Sequence, residues 1–236
     1  MARHIGIVAL SPEGSALCYR CIGRRVNDIE DPDRRPRITL HNRPFSTFVE
    51  ALQRDDWNAI AQLLIESAET LAQAGAEFCV LPDNVAHHAL PLVEASSPIP
   101  WMNMISLVAD SFASHQCERV GLIGTQYVMS GSTYQTMLGL RGIRLLIPDE
   151  EHAAAIDDII FREAVYGVVS EASTRVIYAA LNDLCDRGCE AVILGCSEAP
   201  LLQCVQNSPV PIIDPVELLA EAAVGRALSV PEEAGA

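Results

Sequence analysis

Short apolar runs alternate along nearly the whole chain with longer segments in which apolar residues recur every three or four positions. This is the pattern of parallel β/α units, whose buried strands read as continuous apolar runs and whose crossover helices read as amphipathic stretches. It predicts strands at about Ile5–Leu10, Arg37–His41, Phe78–Leu81, Trp101–Met104, Val120–Gly124, Arg144–Ile147, Ala191–Leu194 and Pro211–Ile213. Helices are predicted at about Ser15–Val26, Trp57–Ala74, Ala86–Ala95, Ser106–His115, Ser130–Leu140, Glu150–Tyr166, Ser170–Arg187 and Val216–Leu228. The polar stretch Asn27–Pro36 has no apolar period and reads as an exposed loop.

The pattern occurs twice. Gly75 to Asp83 reads GAEFCVLPD and Gly188 to Cys196 reads GCEAVILGC, 113 positions apart. In both, a glycine suited to a helix C-cap leads through a glutamate into an apolar run that stops at a reactive side chain. Ser97-Pro98-Ile99-Pro100 answers Ser208-Pro209-Val210-Pro211, and Gly6-Ile7-Val8 answers Gly121-Leu122-Ile123. The expected fold class is α/β, with two pseudo-symmetric parallel-sheet domains and the active site between them. The first would comprise 1–110 with 216–236 and carry Asp83; the second would comprise 111–215 and carry Cys196. Related by a pseudo-twofold axis, the two halves would point Asp83 and Cys196 at each other across a shared cleft, the geometry for removing a proton from one face of a carbon and returning one to the other.

Composition narrows the chemistry. The 236 residues are 50% hydrophobic, enough for a sizeable core, yet no apolar run reaches the roughly 18 residues of a spanning helix. The start, Met1-Ala2-Arg3-His4-Ile5, lacks the apolar stretch of a secretory signal, so a cytoplasmic protein without a membrane partner is expected. A net charge of −15 argues against nucleic acid, whose phosphates are bound by basic clusters. All basic residues are arginine. Without lysine there is no Schiff base, hence no pyridoxal phosphate, and no P-loop, so any carbanion chemistry must proceed without that electron sink. The eight cysteines sit singly in apolar contexts, and most read as reduced core residues. Cys18 and Cys21 lack the second pair that a zinc site would need, and no metal is expected.

Ligands of open parallel sheets bind outside the carboxyl ends of the strands. Polar loops meet that condition at Ser11 to Ser15, His41 to Ser46, Asp83 to His88, Thr125 to Ser132 and Cys196 to Glu198. Asp83 also reads as a helix N-cap. Cysteine is not a preferred cap, and a thiol at a helix N-terminus is favoured as thiolate, so Cys196 reads as catalytic with Asp83 as its counterpart. Asn84 and Ser197, the next residues in each copy, suit the binding of a carboxylate, with Thr125 and Ser132 as further candidates. His87, four residues after Asp83 and on the same helical face, suits a supporting role that orients or protonates it; Glu198 is the matching residue behind Cys196.

On Gly6-Ile7-Val8, Leu81-Pro82-Asp83-Asn84-Val85-Ala86-His87, Gly195-Cys196-Ser197-Glu198 and Ile213-Asp214-Pro215, the chain resembles the aspartate/glutamate racemase superfamily. That cofactor-independent group includes amino-acid racemases, hydantoin racemases, maleate isomerases and arylmalonate decarboxylases. The resemblance implies two pseudo-symmetric α/β domains, an active site between them acting on a small carboxylate substrate, and a homodimer. It departs from the common pattern at Asp83, where a first cysteine is usual, and at Val85, where threonine is usual at a substrate-binding position. Ser11-Pro12-Glu13-Gly14-Ser15 replaces a glycine-rich start, which keeps Ser11 as a binding candidate. Valine occupies Tyr166-Gly167-Val168-Val169 where racemases of acidic amino acids carry lysine, leaving Arg43 or Arg162 to meet a distal carboxylate.

The expected activity is racemisation or epimerisation of an amino acid or related α-substituted acid, by proton transfer between Cys196 and Asp83. One rival on the same scaffold is a decarboxylase, lyase or cis–trans isomerase relying on Cys196. Another is a catalytically silent ligand-binding protein.

Overall fold

Strand β1 (Ile5–Ala9) is buried along its entire length, as the central strand of a parallel sheet covered on both faces must be. The computed structural model describes residues 2–196 and 205–229. After β1 follow α1 (Pro12–Asn27), β2 (Ile38–Asn42), α2 (Phe45–Gln53), α3 (Trp57–Gln73), β3 (Phe78–Val80), α4 (Leu90–Val93) and β4 (Trp101–Met102). Then come α5 (Met104–Ser114), β5 (Arg119–Gly124), α6 (Gln126–Ser130), α7 (Ser132–Gly139), β6 (Arg144–Leu146), α8 (Glu150–Arg162), α9 (Glu171–Asp186), β7 (Ala191–Gly195), β8 (Ile212–Ile213) and α10 (Pro215–Leu228). The strands form two parallel four-stranded sheets in equivalent orders, β2-β1-β3-β4 and β6-β5-β7-β8. The fold is α/β, as the alternating pattern predicts.

The repeated residues have equivalent structural duties. After α3, Gly75 has φ +89°, its N–H donates to Ala72 O (2.9 Å), and the N–H of Ala76 donates to Leu71 O (2.9 Å). After α9, Gly188 has φ +84°, with Gly188 N to Cys185 O at 2.8 Å and Cys189 N to Leu184 O at 3.0 Å. Both are Schellman endings, which need a residue at positive φ. The glutamate two positions later tethers the neighbouring strand. Glu77 Oε1 accepts from His4 N (2.9 Å), and Glu190 Oε1 accepts from Glu118 N (2.7 Å) and Arg119 N (2.9 Å). The prolines close the pattern, Pro100 O accepting from Cys79 N (2.8 Å) and Pro211 O from Val192 N (2.9 Å).

The chain divides into two compact units. One holds the described residues up to Pro82, Ala89–Met102 and those from Leu219 onward; the other holds the described residues of Asp83–His88 and Asn103–Leu218. The division expected at 110/111 and 215/216 is therefore displaced, and Asp83, assigned by the repeat to the first half, packs with the second unit, where Cys196 also lies. In the first unit the guanidinium of Arg226 sits 4.9 Å from the Phe78 ring centroid, and Arg3 N donates to Ala227 O (2.8 Å). In the second, Ile123, Ile156, Ile160, Ile177, Leu181 and Leu194 belong to one apolar cluster that also includes Cys196.

Several helices differ from the periodic reading. Helix α1 starts at Pro12, before the expected Ser15, because Ser11 caps it: its Oγ accepts from Gly14 N (3.3 Å). Helix α2 was not expected, though Phe48, Ala51 and Leu52 bury one face at helical spacing. The helix expected over Ala86–Ala95 is a 3₁₀ turn, Ala86–Ala89, followed by the short α4. Pro91 has no N–H to continue an α-helical ladder through this stretch. The helix expected over Ser130–Leu140 breaks at Gly131, where a side chain would meet Tyr127 O at 2.6 Å.

Candidate active site

Asp83 follows β3 through Leu81 and Pro82 and is half-buried. Its Oδ1 accepts from Ala86 N (2.8 Å), so the carboxylate does cap the turn that follows.

His87 holds this segment in place. Its ring is 2% exposed, with Nε2 3.0 Å from Met104 N and Nδ1 2.7 Å from Asp83 O. The main-chain N–H of Met104 can only donate, so Nε2 is the bare nitrogen, and the Nδ1 proton goes to the Asp83 carbonyl. Burial lowers the imidazole to about 4, with the Asp83 carbonyl opposing the shift, so the ring is neutral at physiological pH. His87 thus grips the backbone of Asp83 and ties it to the first turn of α5. The expected orientation of Asp83 acts on its main chain rather than its carboxylate.

Asn84 is 7% exposed and receives a hydrogen bond at Oδ1 from the hydroxyl of Tyr134 in α7 (2.7 Å), itself 1% exposed. Val85, next along, is half-buried. Tyr134 was not among the residues expected from sequence, since a tyrosine in an amphipathic helix gives no local sign of a polar partner fifty positions earlier.

At the carboxyl edge of the second sheet, Gly124 of β5 pairs with Gly195 of β7. A Cβ on Gly124 would lie 3.0 Å from Gly195 O, and one on Gly195 would lie 2.9 Å from Leu122 Cδ1 and Val128 Cγ1. A side chain at Gly124 would crowd the Gly195 backbone and one at Gly195 the tips of Leu122 and Val128, and the close pairing brings the residues that follow, Thr125 and Cys196, to the same end of adjacent strands. Cys196 is 7% exposed. Thr125 begins α6 without using its hydroxyl as a cap, and its Oγ1 is enclosed with no hydrogen-bond partner among the described residues. Asp214, directly after β8, resembles it. Its Oδ1 accepts from Val216 N (2.9 Å), while its Oδ2 is enclosed without a partner among the described residues. Burial, reinforced by the charge of Glu217, raises its carboxyl to about 6 against the pull of the Val216 and Glu217 amides. Asp214 entered the sequence reading only within a motif; its enclosure depends on tertiary packing. By contrast Cys79, on β3, is pushed up to about 12 by burial and remains a thiol.

The other candidates are placed as follows. Ser11 caps α1. Ser132 is exposed at the start of α7. Arg43 pairs with Glu66 at 2.6 Å, and Arg162 pairs with Asp158 on an exposed face. Ser197 and Glu198 lie outside the described residues. Among the described residues no cluster of His, Cys, Asp and Glu is arranged to hold a metal ion, and no helix is long and apolar enough to cross a membrane.

A family model described as Asp/Glu/Hydantoin racemase matches residues 7–223. A candidate Asp/Glu racemase of Yersinia pestis shares 28% identity with a TM-score of 0.86, over 96% of this chain and 100% of that one. PH1733, an aspartate racemase homologue from Pyrococcus horikoshii, has the same fold at 24% identity and a TM-score of 0.82, over 96% and 100% of the two chains. The broad specificity amino-acid racemase RacX of Bacillus subtilis is 21% identical over 212 residues, 90% of this chain and 88% of RacX.

Proposed function

Because the chain belongs to the Asp/Glu/Hydantoin racemase family and so to the isomerases, we propose that it racemises or epimerises an amino acid or related α-substituted acid by proton transfer between Cys196 and Asp83. The observation that carries this reading is the position of Cys196: directly after central strand β7, beside the closely paired glycines Gly124 and Gly195.

In this reading the Cys196 thiolate takes the α-proton. The C–H bond breaks, an S–H bond forms, and the electron pair spreads into the substrate carboxylate. The protonated Asp83 then delivers a proton to the opposite face, and the reverse reaction exchanges the roles. The side-chain NH₂ of Asn84, with amides at the strand ends, receives the charge developing on the carboxylate. Arg43 and Arg162, the cations named for a distal carboxylate, are engaged by Glu66 and Asp158, so neutral amino acids belong in the test beside acidic ones. Assembly as a homodimer is part of the same proposal and is checked by light scattering.

The experiment is a panel of single-enantiomer D- and L-amino acids followed by circular dichroism in D₂O. Loss of optical signal with deuterium at Cα of both enantiomers is the expected result. Release of CO₂, or isomerisation without α-exchange, would assign the scaffold to the decarboxylase or cis–trans isomerase reading. Absence of turnover and of α-exchange across the panel would remove the racemase reading.

A further inference from the structure

Resting on that reading of Asn84 as a carboxylate donor, we propose that Tyr134 is a positioning residue: its hydroxyl fixes the side-chain amide of Asn84 so that the NH₂ group faces the substrate carboxylate. Tyr134 is 1% exposed, and among the described residues its hydroxyl has one hydrogen-bond partner, Asn84 Oδ1 at 2.7 Å. A buried hydroxyl proton with a single neighbour in reach must be donated to it, and an amide nitrogen cannot accept it. Asn84 therefore turns Oδ1 toward Tyr134. The planar amide then holds Nδ2 on the other side, where it makes no hydrogen bond to the described residues and is not enclosed.

Without Tyr134 the amide could present either end. An oxygen turned outward would repel a carboxylate; a nitrogen turned outward donates to it. The donor is robust to pH, since burial and then the nearby charge of Asp214 raise the phenol well above its ordinary value. Asn84 directly follows Asp83, whose main chain His87 holds and whose turn is capped at Ala86 N. Tyr134 and His87 thus act on successive residues from the same unit, one setting a side chain and the other a backbone.

Tyr134→Phe removes one oxygen and keeps the ring. With the amino acid turned over fastest in the panel, KM should rise about fivefold, the worth of one net hydrogen bond, while kcat stays within about twofold. In an Asn84→Ala background the same change should leave KM within about twofold, because Tyr134 acts only through Asn84. An unchanged KM in Tyr134→Phe, or a full fivefold rise repeated in the Asn84→Ala background, overturns the proposal. A second readout needs no turnover. The Asn84 NH₂ pair in the ¹⁵N NMR spectrum of the free protein, assigned by its loss in Asn84→Ala, should shift in Tyr134→Phe. An unmoved pair overturns the proposal even if no amino acid of the panel is a substrate, so its failure is separable from failure of the racemase reading. Should Tyr134→Phe not fold, Asn84→Asp serves. It keeps the acceptor for Tyr134 but offers the carboxylate an oxygen, and should raise KM at least about tenfold with the fold intact; an unchanged KM overturns the proposal.

Discussion

Replacing Asp214 by asparagine should change how stability depends on pH. Asp214 Oδ1 caps α10 through Val216 N, and Oδ2 is enclosed without a partner among the described residues. The carboxyl is raised from 3.8 to about 6, chiefly by burial. Between those values the folded protein keeps a proton that the unfolded chain has released, so unfolding free energy falls as pH rises. This group's contribution is fully present below about pH 4 and is lost as pH passes through about 6. A shift of roughly two units corresponds to about 3 kcal/mol. Asp214→Asn keeps the capping oxygen and cannot ionise, so it lacks that slope. Urea unfolding followed by far-UV circular dichroism at intervals from pH 4 to pH 7 should show the variant gaining on the wild type by about 3 kcal/mol across the window. In thermal melts the same gain is about 6 to 12 °C for a chain of this size. The comparison cancels groups common to both proteins, including His87, which titrates near 4. Parallel stability curves, or a variant that gains toward acid pH, would refute the argument.

Cys196→Ala should abolish turnover with folding intact, since the thiol is the proposed proton carrier; a folded variant with near-normal turnover would remove Cys196 from the mechanism. Asp83→Asn retains the cap on Ala86 N but carries no exchangeable acid. It should suppress racemisation in both directions while leaving deuterium wash-in for the one enantiomer facing Cys196, and equal wash-in for both would make Asp83 a binding or capping residue only. His87→Leu leaves the Asp83 carbonyl and the Met104 N–H without their partner and should cost about 2 to 4 kcal/mol in urea unfolding. A loss under about 0.5 kcal/mol would show that the clamp is dispensable.

Strand positions and the parallel arrangement were legible because buried parallel strands leave continuous apolar runs, and β1 and β7 are buried at every residue. The repeat was legible for a different reason. Gly75 and Gly188 need positive φ, and Glu77 and Glu190 tie down adjacent strands, so their identities are dictated by local hydrogen bonding and recur wherever the unit recurs. What was not legible depends on partners distant in sequence. Tyr134 meets Asn84 across fifty positions, and nothing local to Ile213-Asp214-Pro215 marks Asp214 Oδ2 for enclosure. The role of His87 was half legible: its spacing from Asp83 pointed to the contact, but not to Met104 N, which fixes the tautomer and turns a supposed proton donor into a backbone clamp.

The displaced unit boundary follows from the same asymmetry. Sequence repetition tracks what each unit needs to fold: a helix ending, a tether to the next strand, and a proline carbonyl at the sheet edge. None of these requires the residues after the strand to stay with their own copy. After β3 they do not, because His87 and Asn84 spend their hydrogen bonds on α5 and α7, so that Asp83–His88 packs with the unit containing Cys196. After β7, Cys196 stays within the apolar cluster of its own unit. The segment after β3 is therefore positioned by side-chain hydrogen bonds to α5 and α7, which the repeat does not encode, whereas the residue after β7 is positioned by the apolar packing of its own unit.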